Sequence, residues 1–365
     1  MKIARAEVTR FSAELHAPLI TGAGRLEKRA GFQLMLFSET KRRGFGEASP
    51  AYWLGGERIE QTGEALNWLL GELARIRESG EVRERILAKG RNGSPLTPAA
   101  ACALDTALLD LEAQERGIAL AALLGATAIE PIELCALLTS RSPVEIVREA
   151  KRARIAGYRC LKLKVGARTI EDEIRNLKAV REAVSDECSI RLDANRAWTF
   201  ESALSALSRF HDCRIELVEE PLSSPRPGEL AKLRDLTGIP IALDESINSK
   251  GDLDKCMAEG GTDYVVLKAA RIGGPTRLVE MATLAKSAGM RAVVTDSLET
   301  AVGMSLAIHI AAALAPPRSA TGLGGVRVFS SMPASGLEFQ VASALIPCGP
   351  GLRVAALSTG GAKLI

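Results

Sequence analysis

Residues 190–221 read IRLDANRAWTFESALSALSRFHDCRIELVEEP. A short run, Ile190–Asn195, ends on Asp193 and Asn195. In Phe200–Arg209 the apolar residues recur at helical spacing. Ile215–Glu219 is again short and apolar and again ends on acid. Strand, helix and strand within about 25–30 residues is the length of one parallel βα unit. Outward from this stretch, the unit repeats from about Ile132. The expected strands are Ile132–Leu138, Cys160–Val165, Ile190–Asn195, Ile215–Glu219, Ile239–Asp244, Tyr264–Lys268, Ala292–Thr295 and a weak Ala320–Gly324, with helical stretches such as Ile170–Val184 between them. Such a run of consecutive units favours a closed (β/α)8 barrel over an open doubly wound sheet. No Gly-x-Gly-x-x-Gly follows the first strand of any unit, which argues against a dinucleotide fold.

The preceding third of the chain reads differently. Lys2–Phe11 and Ala30–Ser38 are strand-like, and a Gly-rich stretch leads to Gly44-Phe45-Gly46-Glu47. From about Glu57 to Leu124 the period is helical. Thr97-Pro98 suits a helix start, with Thr as N-cap and Pro in the first turn. The expected layout is an α+β unit over 1–125, a barrel over 126–325, and a segment 326–365 that returns to the first unit.

Among 365 residues, 47% are hydrophobic and 25% charged, and 47 basic residues against 44 acidic ones leave a net +3. That is too small a charge for a nucleic-acid or membrane footprint. The apolar stretch Ala301–Ala315 is broken by Gly303, Ser305 and His309 and is too short to span a bilayer. Met1–Glu7 alternates like a strand rather than a secretory signal. The expected location is therefore the cytoplasm, with the seven cysteines reduced. They form no Cys-x-x-Cys pair, so neither a zinc site nor a disulfide framework is indicated.

Barrel enzymes carry their chemistry at the C-terminal ends of the strands. Here those ends read Lys162-Leu163-Lys164, Asp193-Ala194-Asn195, Glu219-Glu220-Pro221, Asp244-Glu245-Ser246, Lys268, and Asp296-Ser297-Leu298-Glu299. A buried ion is unfavourable unless it is paired or metal-bound. Five successive strands ending in charge therefore form a set. Residues i and i+2 of a strand face the same way, so Lys162 and Lys164 share a face, as do Asp193 and Asn195. Carboxylates from three neighbouring strands would repel without a cation, and hard oxygen donors suit Mg²⁺. Periodicity leaves open which of Glu219/Glu220 and of Asp244/Glu245 is a ligand. Lysines on two further strands would flank the ion. A lysine beside a cation has a lowered pKa and can take a proton at neutral pH. The cation would stabilise the charge left when a carbon acid α to a carboxylate is deprotonated.

In this order and spacing, Lys162-Leu163-Lys164, Asp193-Ala194-Asn195, Val218-Glu219-Glu220-Pro221, Asp244-Glu245-Ser246 and Lys268 with Gly273-Gly274 resemble the enolase superfamily, muconate-lactonising enzyme subgroup, over nearly the whole chain. Gly44–Pro50 is similar to that family's cap-domain loop. The resemblance implies a modified (β/α)7β TIM-type barrel with an α+β capping domain. It implies Asp193, Glu219 and Asp244 as ligands of Mg²⁺, with Mn²⁺ able to substitute. It implies Lys164 as acid/base on one face, Lys268 on the other, and Lys162 as an electrostatic aid. Asn195, Glu245, Ser297, Glu299 and Gly322 would surround these groups or the substrate.

Within the subgroup, several features are most similar to o-succinylbenzoate synthase, the dehydratase (a carbon–oxygen lyase) of menaquinone synthesis. They are Ser297-Leu298-Glu299 followed by Gly303 and His309, then Gly322-Leu323-Gly324, Arg29-Ala30-Gly31, and Gly55-Gly56-Glu57. That likeness implies that Lys164 removes the α proton and then protonates the departing hydroxyl. Lys268 would stabilise the anion, while Ser297 and the backbone near Gly322 would hold the succinyl end. The main alternative is a dipeptide epimerase. Those enzymes usually carry Asp-x-Asp at the eighth strand to hold the ammonium, where this chain has Gly322-Leu323-Gly324. An N-acylamino acid racemase uses the same two lysines and needs no such aspartates; a muconate cycloisomerase ranks lower. The expected partner is a small-molecule carboxylate, not nucleic acid or membrane, with homo-oligomerisation open.

Of the remaining residues, His309 reads as a core histidine, His211 as a surface one and His16 as part of a lid. Tyr52 and Trp53 would either wall the substrate or pack the cap. Trp198 reads as packing on the barrel rim, and Lys41-Arg42-Arg43 as a solvated turn.

Overall fold

The computed structural model describes residues 1–21, 24–88, 95–128, 130–140, 142–314, 319–330 and 337–354. The chain opens with an antiparallel sheet of β1 (Ile3–Thr21), β2 (Gly24–Ser38) and β3 (Arg43–Ala48). Helices α1 (Ile59–Leu73), α2 (Ser79–Val82), α3 (Pro98–Arg116) and α4 (Leu120–Leu123) follow. β1 runs well past the expected Phe11, because its pairing with β2 resumes after an irregularity and continues to Thr21 opposite Gly24. α3 starts as expected: Thr97 Oγ1 accepts from Ala100 N at 3.4 Å, and Pro98 occupies the first turn. Phe32, Leu34 and Leu36 of β2 pack with Leu66 and Leu69 of α1 and Leu104, Leu108 and Leu111 of α3. Each buried leucine or phenylalanine contributes about 1.5–3 kcal/mol. β3 lies flush on α3. A Cβ at Gly46 would stand 1.8 Å from the Ala103 carbonyl oxygen, so only glycine fits there.

The barrel follows: β4 (Ile132–Glu133), β5 (Cys135–Leu138), α5 (Pro143–Ile155), β6 (Cys160–Lys164), α6 (Ile170–Val184), β7 (Ser189–Asp193), α7 (Phe200–Arg209), β8 (Ile215–Glu219), α8 (Glu229–Thr237), β9 (Ile241–Leu243), α9 (Lys250–Glu259), β10 (Tyr264–Leu267), α10 (Ala269–Ile272), α11 (Pro275–Ser287), β11 (Arg291–Val294) and α12 (Ala301–Leu314). Ser142, Thr169, Thr199 and Ser249 cap α5, α6, α7 and α9, each accepting from the backbone amide three residues on. β5 to β11 form one parallel sheet in chain order. The expected eighth strand shrinks to Thr321-Gly322, which closes the ring. Cys135 N donates to Thr321 O (2.8 Å), and Gly322 N donates to Val294 O (3.1 Å). The architecture is thus the expected modified (β/α)7β barrel with an α+β cap.

The single strand expected over Ile132–Leu138 is divided. β4 pairs with β12 (Ser343–Ala344), and only β5 joins the barrel. After residue 326 the chain returns to the first unit: Ser330 N donates to Glu14 O (2.9 Å) and Leu352 N to Asp110 Oδ1 (2.7 Å). The end of the expected returning segment, 355–365, lies outside the described residues. Inside the barrel, Leu217, Ala242, Val266 and Val293 form a small apolar cluster. Among the described residues no helix is long and apolar enough to cross a membrane.

Candidate active site

β6 alternates, so Cys160, Lys162 and Lys164 face one way while Leu161 and Leu163 pack outward into the shell. Its register with β7 sets Lys164 opposite Asp193, and β7 in turn sets Asp193 opposite Glu219. Lys162 Nζ donates to both Glu219 oxygens at 2.8 Å and lies 2.9 Å from Asp193 Oδ2. Lys164 Nζ donates to Asn195 Oδ1 at 2.5 Å and stands 3.9 Å from Asp193 Oδ2. Asn195 Nδ2 donates to Glu245 Oε1 at 2.9 Å, so Asn195 holds the lysine to the next strand end but one. The Lys164 side chain is 60% exposed and that of Lys162 25%, which leaves Lys164 as the amine that can meet a solute.

On the far wall, Lys268 follows β10 and is buried against both oxygens of Asp244. Arg271 Nη1 adds a bond to Asp244 Oδ1 at 3.2 Å, while its other terminal nitrogen reaches Asn248. Sequence reasoning passed over Arg271. The available signal was its place three residues after Lys268, one helical turn on, with α10 starting at Ala269.

The structure separates the pairs that periodicity left open. Glu219 faces Lys162. Glu220 turns away in the left-handed region at φ 43° and accepts from Asp244 N (2.9 Å), Ser246 N (2.7 Å) and Arg196 Nε (3.2 Å). It anchors the end of β9. Asn195, Arg196 and Leu298 also have positive φ, so strain of roughly 1–3 kcal/mol per residue gathers at this mouth. Asp244 faces the lysine wall, and Glu245 turns to Asn195.

The charges set one another. Burial raises the Glu219 carboxyl to about 8; Asp193 and Asp244 push the same way and Lys162 opposes. Burial alone would lower Lys162, but Glu219 and Asp193 prevail and hold it above its ordinary value. Asp244 is held low against burial by Lys268 and Arg271.

Among the described residues, no three acidic, cysteine or histidine side chains lie close enough to share an ion. Asp193 and Glu219 converge, whereas Asp244 is drawn toward Lys268. The donor set still fits a hard dication. Asp193, Glu219 and Asp244 are all buried, and one cationic nitrogen already sits within 2.9 Å of three of their oxygens.

Above the mouth, the cap locks onto the loop after β11. Arg29, which sequence reasoning noted only within a motif, is 2% exposed. It donates to Leu298 O (3.0 Å), Ser49 O (2.7 Å) and Pro50 O (2.5 Å) and stacks on Trp53. Trp53 thus packs the cap, and Tyr52 beside it is exposed. Glu47 accepts from Thr300 N (2.8 Å), Thr300 Oγ1 (2.6 Å) and Gly303 N (2.9 Å) at the start of α12. Ser297 Oγ and Glu245 Oε2 are buried without a hydrogen-bond partner. Glu299 accepts from Ser297 N at 2.5 Å, and burial, with Asp296 next, lifts its carboxyl to about 7. Gly322 lies against Thr295, where a Cβ would come within 2.9 Å of the threonine Cβ. His309 is a core residue as expected: Nδ1 accepts from Ala121 N at 3.2 Å, and burial pushes its pKa down to about 4. His16 and His211 are exposed, and Trp198 is buried at the rim.

The family described as "Enolase C-terminal domain-like" matches residues 145–355, more than half of the chain. An L-Ala-D/L-Glu epimerase of Clostridium acetobutylicum is 30% identical over 305 residues, covering 83% of this chain and 84% of that protein. A muconate cycloisomerase of Acinetobacter lwoffii is 28% identical over 254 residues, or 69% and 66% of the two chains. The crystal structure of a dipeptide epimerase from Enterococcus faecalis V583, complexed with Mg and the dipeptide L-Leu-L-Tyr, superposes with a TM-score of 0.88 at 26% identity, covering 97% of this chain and 100% of that one. With the strand-end charges in the order described above, these matches establish that the chain belongs to the enolase superfamily.

Proposed function

We propose that the protein is a Mg²⁺-dependent racemase or epimerase that inverts the carbon α to a carboxylate in an N-acylated amino acid or dipeptide. One observation carries this reading: two lysines stand on opposite walls of one acidic mouth. β6 and β10 are four staves apart in a ring of eight, so Lys164 and Lys268 face the axis from opposite sides. Inversion needs that arrangement, with one amine to remove the α proton and another to return a proton to the opposite face. Asp193, Glu219 and Asp244 would hold the ion, whose charge would steady the substrate carboxylate as electron density builds on it. Lys162 fixes the positions of Asp193 and Glu219, and Asn195 aims Lys164.

The relatives reported above are epimerases and a cycloisomerase. They support the epimerase alternative over the dehydratase reading that the sequence suggested first. Gly322-Leu323-Gly324 offers no carboxylate to a free ammonium, which favours an acylated amine.

Incubation with Mg²⁺ in deuterium oxide tests the reading, using N-succinyl amino acids and dipeptides. Inversion with α-deuterium incorporation is expected. Lys164→Ala or Lys268→Ala should each reduce inversion by at least ~10³-fold, while exchange from one stereoisomer survives. Dehydration of a hydroxylated cyclohexadiene carboxylate, the substrate class implied by the o-succinylbenzoate synthase likeness, without any inversion would overturn it.

A further inference from the structure

At the other end of the barrel, the residues that begin the strands line a second cavity of about 540 Å³. Cys160, Arg191, Glu216, Tyr264 and Arg291 form part of its wall. Nothing in the proposed proton transfer uses them. Cys135 and Cys160 are direct partners in the β5–β6 pair, and their Sγ atoms lie 3.1 Å apart. Adjacent strands are spaced by about 4.8 Å, within the roughly 4.4–6.8 Å between Cα atoms that a disulfide spans. Both thiols are free. Arg191 stands fixed beside them, donating to Glu216 at 3.0 and 2.8 Å and to Ala320 O at 2.8 Å.

The two sulfurs are not equivalent. Cys160 lines the cavity. The contact with Cys135 and, against burial, the Arg191 charge hold its thiol below the ordinary value. The contact with Cys160 and burial push the Cys135 thiol well above. Cys160 is buried in the cavity wall and Cys135 is half-buried. Two thiols in contact beside a fixed guanidinium are the arrangement of an attacking and a resolving cysteine.

We propose that Cys135 and Cys160 form a two-thiol oxidation site at the base of the barrel, at which a hydroperoxide admitted by the cavity is reduced and the pair closes to a disulfide. The Cys160 thiolate attacks the peroxide O–O bond. That bond breaks, the distal oxygen leaves and takes a proton, and Cys160 becomes a sulfenic acid. The Cys135 sulfur then displaces the sulfenic oxygen, which departs as water with the Cys135 proton. With hydrogen peroxide, two thiols and one peroxide give one disulfide and two waters. The sulfurs together lose two electrons and the peroxide gains them.

The test oxidises the native full-length protein with hydrogen peroxide, blocks residual thiols by alkylation, and maps the peptides. The expected product is a linked Cys135–Cys160 peptide, lighter by two hydrogens, which forms before the exposed Cys348 is oxidised and reverts with dithiothreitol. In Cys135→Ser the link disappears and Cys160 is trapped by dimedone as its sulfenic acid. Oxidation of Cys348 while Cys135 and Cys160 both remain alkylatable would overturn the proposal. So would a link that forms only in urea-unfolded protein. The map of the unsubstituted protein decides the matter even if the variant fails to fold.

Discussion

Glu299 shows how burial turns a carboxylate into a pH-dependent load on the fold. Its value near 7 in the folded protein lies above the ordinary 4.5, so the native state binds the extra proton. The resulting stabilisation is fully present below pH 4.5 and is lost as pH rises through 7. Glu299→Gln should remove about 3 kcal/mol of that decline, read as the difference in urea midpoint between the two proteins at pH 5 and pH 8. Equal pH slopes in both would count against it. Residue by residue, legibility followed locality. Asp193, Glu219 and Asp244 were readable because each closes an apolar run. The division of labour between Glu219 and Glu220 was not, because it depends on the left-handed turn at Glu220. Nor were the roles of Arg29 and Arg271, because their partners lie 269 and 27 residues away.

Elements were most legible where they stop themselves. α6 and α7 begin and end where the sequence suggested, each behind a threonine cap. β4 was fused to β5 because its partner, Ser343–Ala344, is remote. α12 is started from outside: Glu47, on the cap, satisfies the amides of Thr300 and Gly303. Glu47→Ala would leave these buried donors open at about 1–3 kcal/mol each. A total loss of roughly 2–6 kcal/mol is expected from chemical denaturation. A change under ~0.5 kcal/mol would show that the helix start does not depend on it.

For the whole molecule, the proposed function makes the acidic mouth a receiver of cations. Three buried carboxylates sharing two lysines and one arginine should gain stability when a dication binds only the native state. That gain is about 2.7 kcal/mol at 100 times Kd. Thermal unfolding should therefore shift upward with Mg²⁺ and return with EDTA, and Glu219→Gln should abolish the shift. An unchanged midpoint across the titration would argue against ion binding here. The barrel and its cap were legible as a whole because the βα period repeats. The closing stave was only faintly so, since Thr321 and Gly322 alone complete it.

The interior of this barrel is also lopsided. On the β6 and β7 staves, cysteine, serine, lysine, arginine and aspartate climb without a break from floor to rim, in facing rows Cys160/Ser189, Lys162/Arg191 and Lys164/Asp193. On the next four staves the mid-height positions Leu217, Ala242, Val266 and Val293 are oily, beneath Glu219, Asp244 and Lys268 at the rim. At mid-height, tolerance to substitution at inward positions would therefore trace a semicircle rather than a ring: permissive to aliphatic exchange on the arc of Leu217, Ala242, Val266 and Val293, and unforgiving at Lys162 and Arg191, where the removal of either charge strands its carboxylate partners.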